Sequence, residues 1–252
     1  MGTLDRDGLH AGLDAALEDA LRPLRESSGP LGVLFSGGVD SSLLAWELRR
    51  RPDVILCTMG RDGSPDLRAG RSGAERLGLP WESIVIDRVR VRIAEERFRG
   101  ELDHLPTVSR NVLLSLAIAI EGASPPRLVC GQGVDELFLG YAHFRDLEEG
   151  VAARRVVEDL ARLRERDWPR TERVAERVGK TVIAPYLSLP FEVAANRVPI
   201  GLRLPREEPK RFFREWALGR GLPIELSRRP KKALQYGSGV DALVRGRRAK
   251  DR

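Results

Sequence analysis

The segment "LGVLFSGGVDSSLL" does more than any other stretch to restrict what this chain can fold into. Leu31 to Phe35 is a short apolar run that stops at Ser36-Gly37-Gly38, and "SSLLAWELRR" then carries apolar residues at helical spacing. A strand that turns through two glycines straight into a helix is a building unit of an α/β sheet. The glycines let successive backbone N–H groups face one concavity, and the helix N-terminus adds the positive end of its dipole. Ser36, Ser41 and Ser42 add hydroxyl donors, so this turn is predicted to cradle a phosphate or pyrophosphate. Asp40 would repel a bare anion, but it fits the cradle if Mg²⁺ bridges its carboxylate and the phosphate oxygens. A Walker A loop is excluded, because it needs GxxxxGK[ST] and this segment has no lysine. The GxGxxG spacing of a dinucleotide fingerprint does not fit either.

Further strands are predicted at "DVILCT" (Asp53 to Thr58), "ESIVID" (Glu82 to Asp87) and "RLVC" (Arg127 to Cys130). Between them Ser64-Pro65 starts a helix that Gly78 ends, and "RNVLLSLAIAIEGA" is apolar nearly all round, as a buried helix would be. Strands apolar on both faces and alternating with helices predict an α/β fold, a parallel Rossmann-like sheet covered on both sides. After about Tyr141 the strand signals fade. "EEGVAARRVVEDLARLRERDW", "PRTERVAERVG", "SLPFEVAANRVP" and "PKRFFREWALGRG" all follow the helical period. The expected organisation is an α/β core over residues 1–145, in which 1–28 form a leading amphipathic helix, and a mainly helical lobe over 146–252. That lobe holds the loop-like "SRRPKKALQYGSGV" and ends in a basic tail, 241–252. No linker is long enough to free one lobe from the other.

With 252 residues, 42% hydrophobic and 32% charged, the composition is that of a soluble globular protein able to bury a substantial core. No stretch is long and apolar enough to span a membrane, and the N-terminus is not a signal peptide, so no membrane partner and a cytoplasmic location are expected. Cys57 and Cys130 each end an apolar run and form no CxxC pair, while His10, His104 and His143 are scattered singly. A zinc or histidine-built metal centre is therefore not expected. The net charge of +6 comes almost wholly from arginine, since lysine occurs only at 180, 210, 231, 232 and 250. A basic balance permits RNA binding without establishing it.

The SGGVDSS loop resembles the pyrophosphate-binding loop of the ATP pyrophosphatases, enzymes that split ATP into AMP and pyrophosphate. "GQGVDELFLGY" is similar to the GEGxDExFxGY segment of the asparagine synthetase branch of that superfamily, which includes β-lactam-forming relatives. "TMGRDGSPDLRAGRSGAERLGLP", "VIAPYLSLPFEVA" and "FREWALGRGLPIELSRRPKKALQYGSG" resemble further segments of the branch in the same order, so the likeness runs from about Leu31 to Gly239. It implies an adenine nucleotide α-hydrolase-like core that binds ATP. Ser36, Gly37, Gly38, Asp40, Ser41 and Ser42 would hold the pyrophosphate portion, and backbone near Leu34, Thr58 and Gly131 the adenine. Asp40 and Asp135 would ligate Mg²⁺ at the ends of two strands. Lys231 matches the closing-segment lysine that neutralises phosphates and the oxyanion formed during attack, with Lys232 as the alternative. Two readings fit Glu136, a substrate-orienting group or an acid favoured by a helix N-terminus. Asp66 is either a substrate-side residue or, equally, a helix N-terminal acid.

Several positions depart from the pattern and bear on the acceptor. Full-length members of the branch begin with a glutaminase domain and its nucleophilic Cys; here Gly2 follows Met1 and no such domain is read. The nitrogen is then expected from free ammonia, an amine substrate or a separate glutaminase subunit. Ile183 and Ser188 stand where the branch has Arg and Asp. Gln132 stands where asparagine synthetases have a Glu thought to take a proton near the attacking nitrogen, and where the β-lactam-forming relatives have Tyr. Glutamine hydrogen-bonds but cannot accept that proton. The favoured expectation is an AMP- and pyrophosphate-forming ligase that adenylates a carboxylate, aspartate or an analogue, for attack by ammonia or an amine. The alternatives are an RNA base-modifying ATP pyrophosphatase and a non-catalytic nucleotide-binding subunit.

Overall fold

The computed structural model describes residues 5–205, 208–230 and 233–248. In chain order the first half contains α1 (Arg6–Glu26), β1 (Leu31–Leu34), α2 (Val39–Leu48), β2 (Val54–Arg61), α3 (Pro65–Leu77) and β3 (Trp81–Ile86). It continues with α4 (Arg88–Arg97), α5 (Arg99–Leu102), α6 (Thr107–Gly122), β4 (Arg127–Val129) and α7 (Val134–Leu137). The second half contains α8 (Glu149–Arg162), α9 (Trp168–Arg177), β5 (Thr181–Ile183), α10 (Leu189–Arg197) and α11 (Ile200–Arg203). After these come α12 (Arg211–Gly219), α13 (Ile224–Ser227), α14 (Leu234–Gly237) and α15 (Val240–Arg248).

The five strands form one parallel sheet in the order β3-β2-β1-β4-β5. Val33 of β1 pairs in register with Leu56 of β2 on one side and Val129 of β4 on the other. From the central β1 the chain builds outward to β3, then returns to lay β4 and β5 on the opposite side. The direction of winding therefore reverses between β1 and β4, and the crevice at the carboxyl ends of these two strands is where an open α/β sheet binds ligands.

Alternation along the strands sends neighbouring side chains into two cores, one on each face. Val33, Leu56 and Val129 pack with α1, α2, α8, α10 and α12, whereas Cys57, Ile84, Leu128 and Val182 pack with α4, α6, α9 and α15. Helix α6 is buried throughout from Leu113 to Ile120, as its nearly all-round apolar character predicts. Helix α3 also follows its expected bounds. Ser64 accepts from the Leu67 N–H at 3.3 Å, Pro65 opens the first turn, and Gly78 stops the helix in the left-handed region at φ 65°.

The fifth strand is a correction to the strand-poor reading of the second half. Three residues are too few to show a period, yet Val182 pairs with Leu128 and extends the sheet. Lys180, just before it, fixes the approach. Its ammonium donates to the carbonyls of Ile120 at 2.8 Å, Glu121 at 3.1 Å and Ala123, closing the C-terminal end of α6.

Candidate functional site

The loop after β1 is built as a cradle. Gly37 adopts φ 67°, which directs the loop back over the start of α2. No side chain caps α2, whose N-cap is Gly38, so its first N–H groups stay available to an anion. Ser41 Oγ accepts from the Ser36 N–H at 3.3 Å, approaches Ser36 Oγ at 3.4 Å and donates to the Gly38 carbonyl at 3.2 Å. Ser42 Oγ is buried with no hydrogen-bond partner among the described residues. An uncapped helix start beside an orphaned hydroxyl fits a phosphate, whose oxygens would satisfy both.

The positions expected near adenine surround this loop. Leu34 is half-buried at the end of β1. Thr58 is buried and its Oγ1 accepts from Trp81 Nε1 at 2.9 Å. Gly131 lies against the start of α2, where a Cβ would come 2.9 Å from the Asp40 Cβ. Its lack of a side chain lets the end of β4 close on Asp40.

Asp40, in the first turn of α2, and Asp135, in α7, meet at one cation across the crevice. That cation is a lysine the sequence reading did not assign. Lys210 Nζ lies 2.8 Å and 3.0 Å from the two Asp40 carboxylate oxygens and 2.8 Å from Asp135 Oδ1. Lys210 and Asp40 are buried, while the Asp135 side chain is half-buried. Burial pulls the Lys210 pKa down, but the charges and hydrogen bonds of Asp135 and Asp40 outweigh it and hold the group above the ordinary lysine range. Gly140 makes room for this contact, since a Cβ there would overlap Asp135 Oδ1 and come 2.9 Å from Lys210 Cε. Two converging carboxylates are suitable oxygen donors for Mg²⁺. The point between them is nevertheless taken by the ammonium, so the expected metal does not fit beside Lys210 in this arrangement. Among the described residues no group of three or more His, Cys, Asp or Glu side chains offers another metal site.

The closing segment, which the sequence marks as a loop, lies over the cradle. Arg229 Nη1 donates to the Ser36 carbonyl at 2.8 Å and stands 3.0 Å from where a Gly37 Cβ would be. Burial lowers the Arg229 pKa and the Asp66 charge opposes that shift. Asp66 is buried in the first turn of α3, and Gly237 packs directly on its carboxylate. The Arg61 N–H donates to the Ser238 carbonyl at 2.8 Å and ties the same segment to the end of β2. Lys231 and Lys232 lie outside the described residues.

Glu136 faces a different set of partners from its neighbour Asp135. It is 5% exposed and accepts from Tyr141 Oη at 2.6 Å. Burial first, and the Asp135 charge second, push its pKa up to about 7. Tyr141 stacks on His143 with ring centroids 5.4 Å apart, and His143 Nε2 contacts Asp159 Oδ2 at 2.8 Å. Gln132 is half-buried on the turn between β4 and α7, and its side chain has no hydrogen bond among the described residues. Ile183 ends β5, and Ser188 precedes α10 with its Oγ buried and unpartnered among the described residues. Sequence reasoning thus missed Lys210, Arg229 and the Tyr141–His143–Asp159 chain. The scarcity of lysine in an arginine-rich chain is a signal that position 210 shares with 180, 231, 232 and 250, and an ammonium suits a compact point between carboxylates better than a planar guanidinium.

A family model described as asparagine synthase matches residues 12–167 of this chain. An asparagine synthetase (glutamine-hydrolyzing) of Gallus gallus is 26% identical over 92% of this chain and 44% of its own length. Asparagine synthetase B (glutamine-hydrolyzing) of Escherichia coli K12 is 26% identical over 74% of this chain and 37% of its own. The chain spans half or less of the length of these curated relatives. Among solved structures, a U34-tRNA thiolase of Methanococcus maripaludis aligns over 95% of this chain and 78% of its own at 16% identity. Its TM-score of 0.39 is too low to bear on function.

Proposed function

Because the chain belongs to the asparagine synthase family, we propose that it is an ATP-dependent ligase that joins a carboxylate, aspartate or an analogue, to ammonia or an amine. A carboxylate oxygen attacks the α-phosphorus of ATP, the bond to the bridging oxygen breaks, and pyrophosphate leaves. The nitrogen lone pair then adds to the acyl-adenylate carbonyl, AMP departs, and the nitrogen gives up a proton. The observation that carries this reading is the uncapped start of α2, flanked by Gly37 and the orphaned Ser42 hydroxyl, at the crevice between β1 and β4.

In this reading the Ser36–Ser42 loop holds the leaving pyrophosphate through its N–H groups and hydroxyls. Arg229, already on that loop, adds positive charge where negative charge accumulates, and Lys231 adds more. Backbone at Leu34, Thr58 and Gly131 faces the adenine. Glu136 orients the acceptor through its Tyr141-bonded carboxyl. Gln132 places a donor and an acceptor beside the incoming nitrogen but takes no proton, so that proton goes to solvent or to a second molecule of the amine.

The test is pyrophosphate release from ATP with purified protein, across a panel of amino acids and other carboxylates with ammonium present. Release stimulated by a carboxylate, with AMP formed in equal amount, is the expected result. Stimulation by RNA alone would move the protein to base modification. Nucleotide binding without turnover under any condition would make it a binding subunit.

A further inference from the structure

The Lys210 ammonium sits where a divalent ion is expected, and the fold takes trouble to put it there. Lys210 adopts φ 60°, a left-handed backbone that is uncommon for a residue with a Cβ. Arg214, itself buried, holds that turn. Its Nε donates to the Pro209 carbonyl at 2.9 Å, its backbone N–H donates to the Lys210 carbonyl at 2.9 Å, and its Nη1 donates to the Ser227 carbonyl. Gly140 leaves the space through which the lysine reaches Asp135. The contact joins residues 170 positions apart, so it spans the β1 loop and the segment leading into α12.

We propose that Lys210 is the resident cation of the Asp40–Asp135 pair. It excludes free divalent ions from these carboxylates until a nucleotide brings phosphates to which the ammonium can transfer. The charge arithmetic favours such an exchange. A divalent ion added beside an ammonium at this distance meets direct repulsion in a buried place. Nucleotide phosphates would give the ammonium a new anionic partner, and the Asp40 and Asp135 carboxylates would then be available as oxygen donors to a divalent ion. The inference rests on the nucleotide-handling reading of this site, but its readout needs neither nucleotide nor acceptor, so either can fail while the other stands.

The experiment is Mn²⁺ titration of the nucleotide-free protein, followed by loss of the free-ion electron paramagnetic resonance signal. Wild type is expected to show no saturable Mn²⁺ site. Lys210→Gln is expected to gain one, tighter by on the order of tenfold or more, because the positive charge that repels the ion is gone while both carboxylates remain. Adding Asp40→Asn and Asp135→Asn to that variant is expected to abolish the gained site. Equal Mn²⁺ binding by wild type and Lys210→Gln, or none by either, overturns the proposal. If Lys210→Gln does not fold in buffer, refolding it in millimolar Mn²⁺ decides instead. Recovery of the native circular dichroism spectrum supports the ion filling the lysine's place, and no recovery overturns it.

Discussion

Tyr186 Oη donates a 3.0 Å hydrogen bond to the backbone carbonyl of Asp40, although the two residues lie 146 positions apart. The phenol is fully buried, and its ring packs against Phe191 and Phe213 at 5.0 Å and 5.6 Å. Through this bond the segment after β5 holds the first turn of α2. Tyr186→Phe keeps the ring contacts and removes one hydrogen bond from the Asp40 carbonyl, which as part of α2 keeps its helical partner, at a cost of about 0.5–1.5 kcal/mol. Urea unfolding should show the midpoint fall with an unchanged slope. On the proposed function nucleotide affinity should weaken in the same variant, because the first turn of α2 loses an anchor.

Gly140 should tolerate no side chain. A methyl group there overlaps Asp135 Oδ1 and presses on Lys210 Cε, so one of the two must leave the position in which it pairs. Gly140→Ala is expected to lose about 1–3 kcal/mol of stability. Gly12 gives the control. It lies inside α1 with nothing within 4 Å of an added Cβ, and Gly12→Ala should gain about 0.5–1 kcal/mol. Thermal unfolding of the two variants should therefore shift in opposite directions.

Much of this site is local and could be read along the chain. Ser36 to Ser42 encode their turn through neighbouring glycines and the helical period that follows, and Ser64, Pro65 and Gly78 mark the bounds of α3 in the same way. What escaped the reading depends on distant approach. Val182 is a strand residue only because Leu128 lies beside it in register. Lys210 acquires meaning from two carboxylates delivered by other elements, and Arg229 from a loop carbonyl 193 positions earlier. Glu136 was ambiguous for a related reason. A carboxylate at a helix start looks the same in sequence whether it faces solvent or a buried phenol, and here it faces Tyr141.

The raised pKa of Glu136 makes stability depend on pH. An unfolded carboxyl titrates near 4.5 and the folded one near 7, so between these values the folded state binds more proton than the unfolded state. Stability linked to this group is fully present below about 4.5 and is lost as pH rises through about 7, a change of about 3 kcal/mol. Glu136→Gln removes the titration while keeping an acceptor for the Tyr141 hydroxyl. Unfolding free energies measured from pH 4.5 to 8 should fall with pH in wild type and fall less steeply in the variant, by the share that Glu136 contributes.

Gln132 gives the most direct probe of the acceptor chemistry. It is half-buried on the turn that joins β4 to α7, three residues before Asp135, and no described residue occupies its amide. Gln132→Glu changes hydrogen-bonding character without changing size, so it restores a proton acceptor at little steric cost. Lys210 already balances the adjacent Asp135, which limits the repulsion the new carboxylate meets. With aspartate and ammonium supplied, formation of AMP and asparagine is expected to rise on the order of 10²-fold, the usual contribution of a positioned general base. The gain should grow as pH rises through the pKa of the new carboxyl, since only its ionised form takes the proton. Chromatographic measurement of both products separates this from a change in nucleotide binding alone. No gain with aspartate, in a variant that still binds ATP, would show that the natural acceptor is a different carboxylate or that the nitrogen's proton leaves by another route.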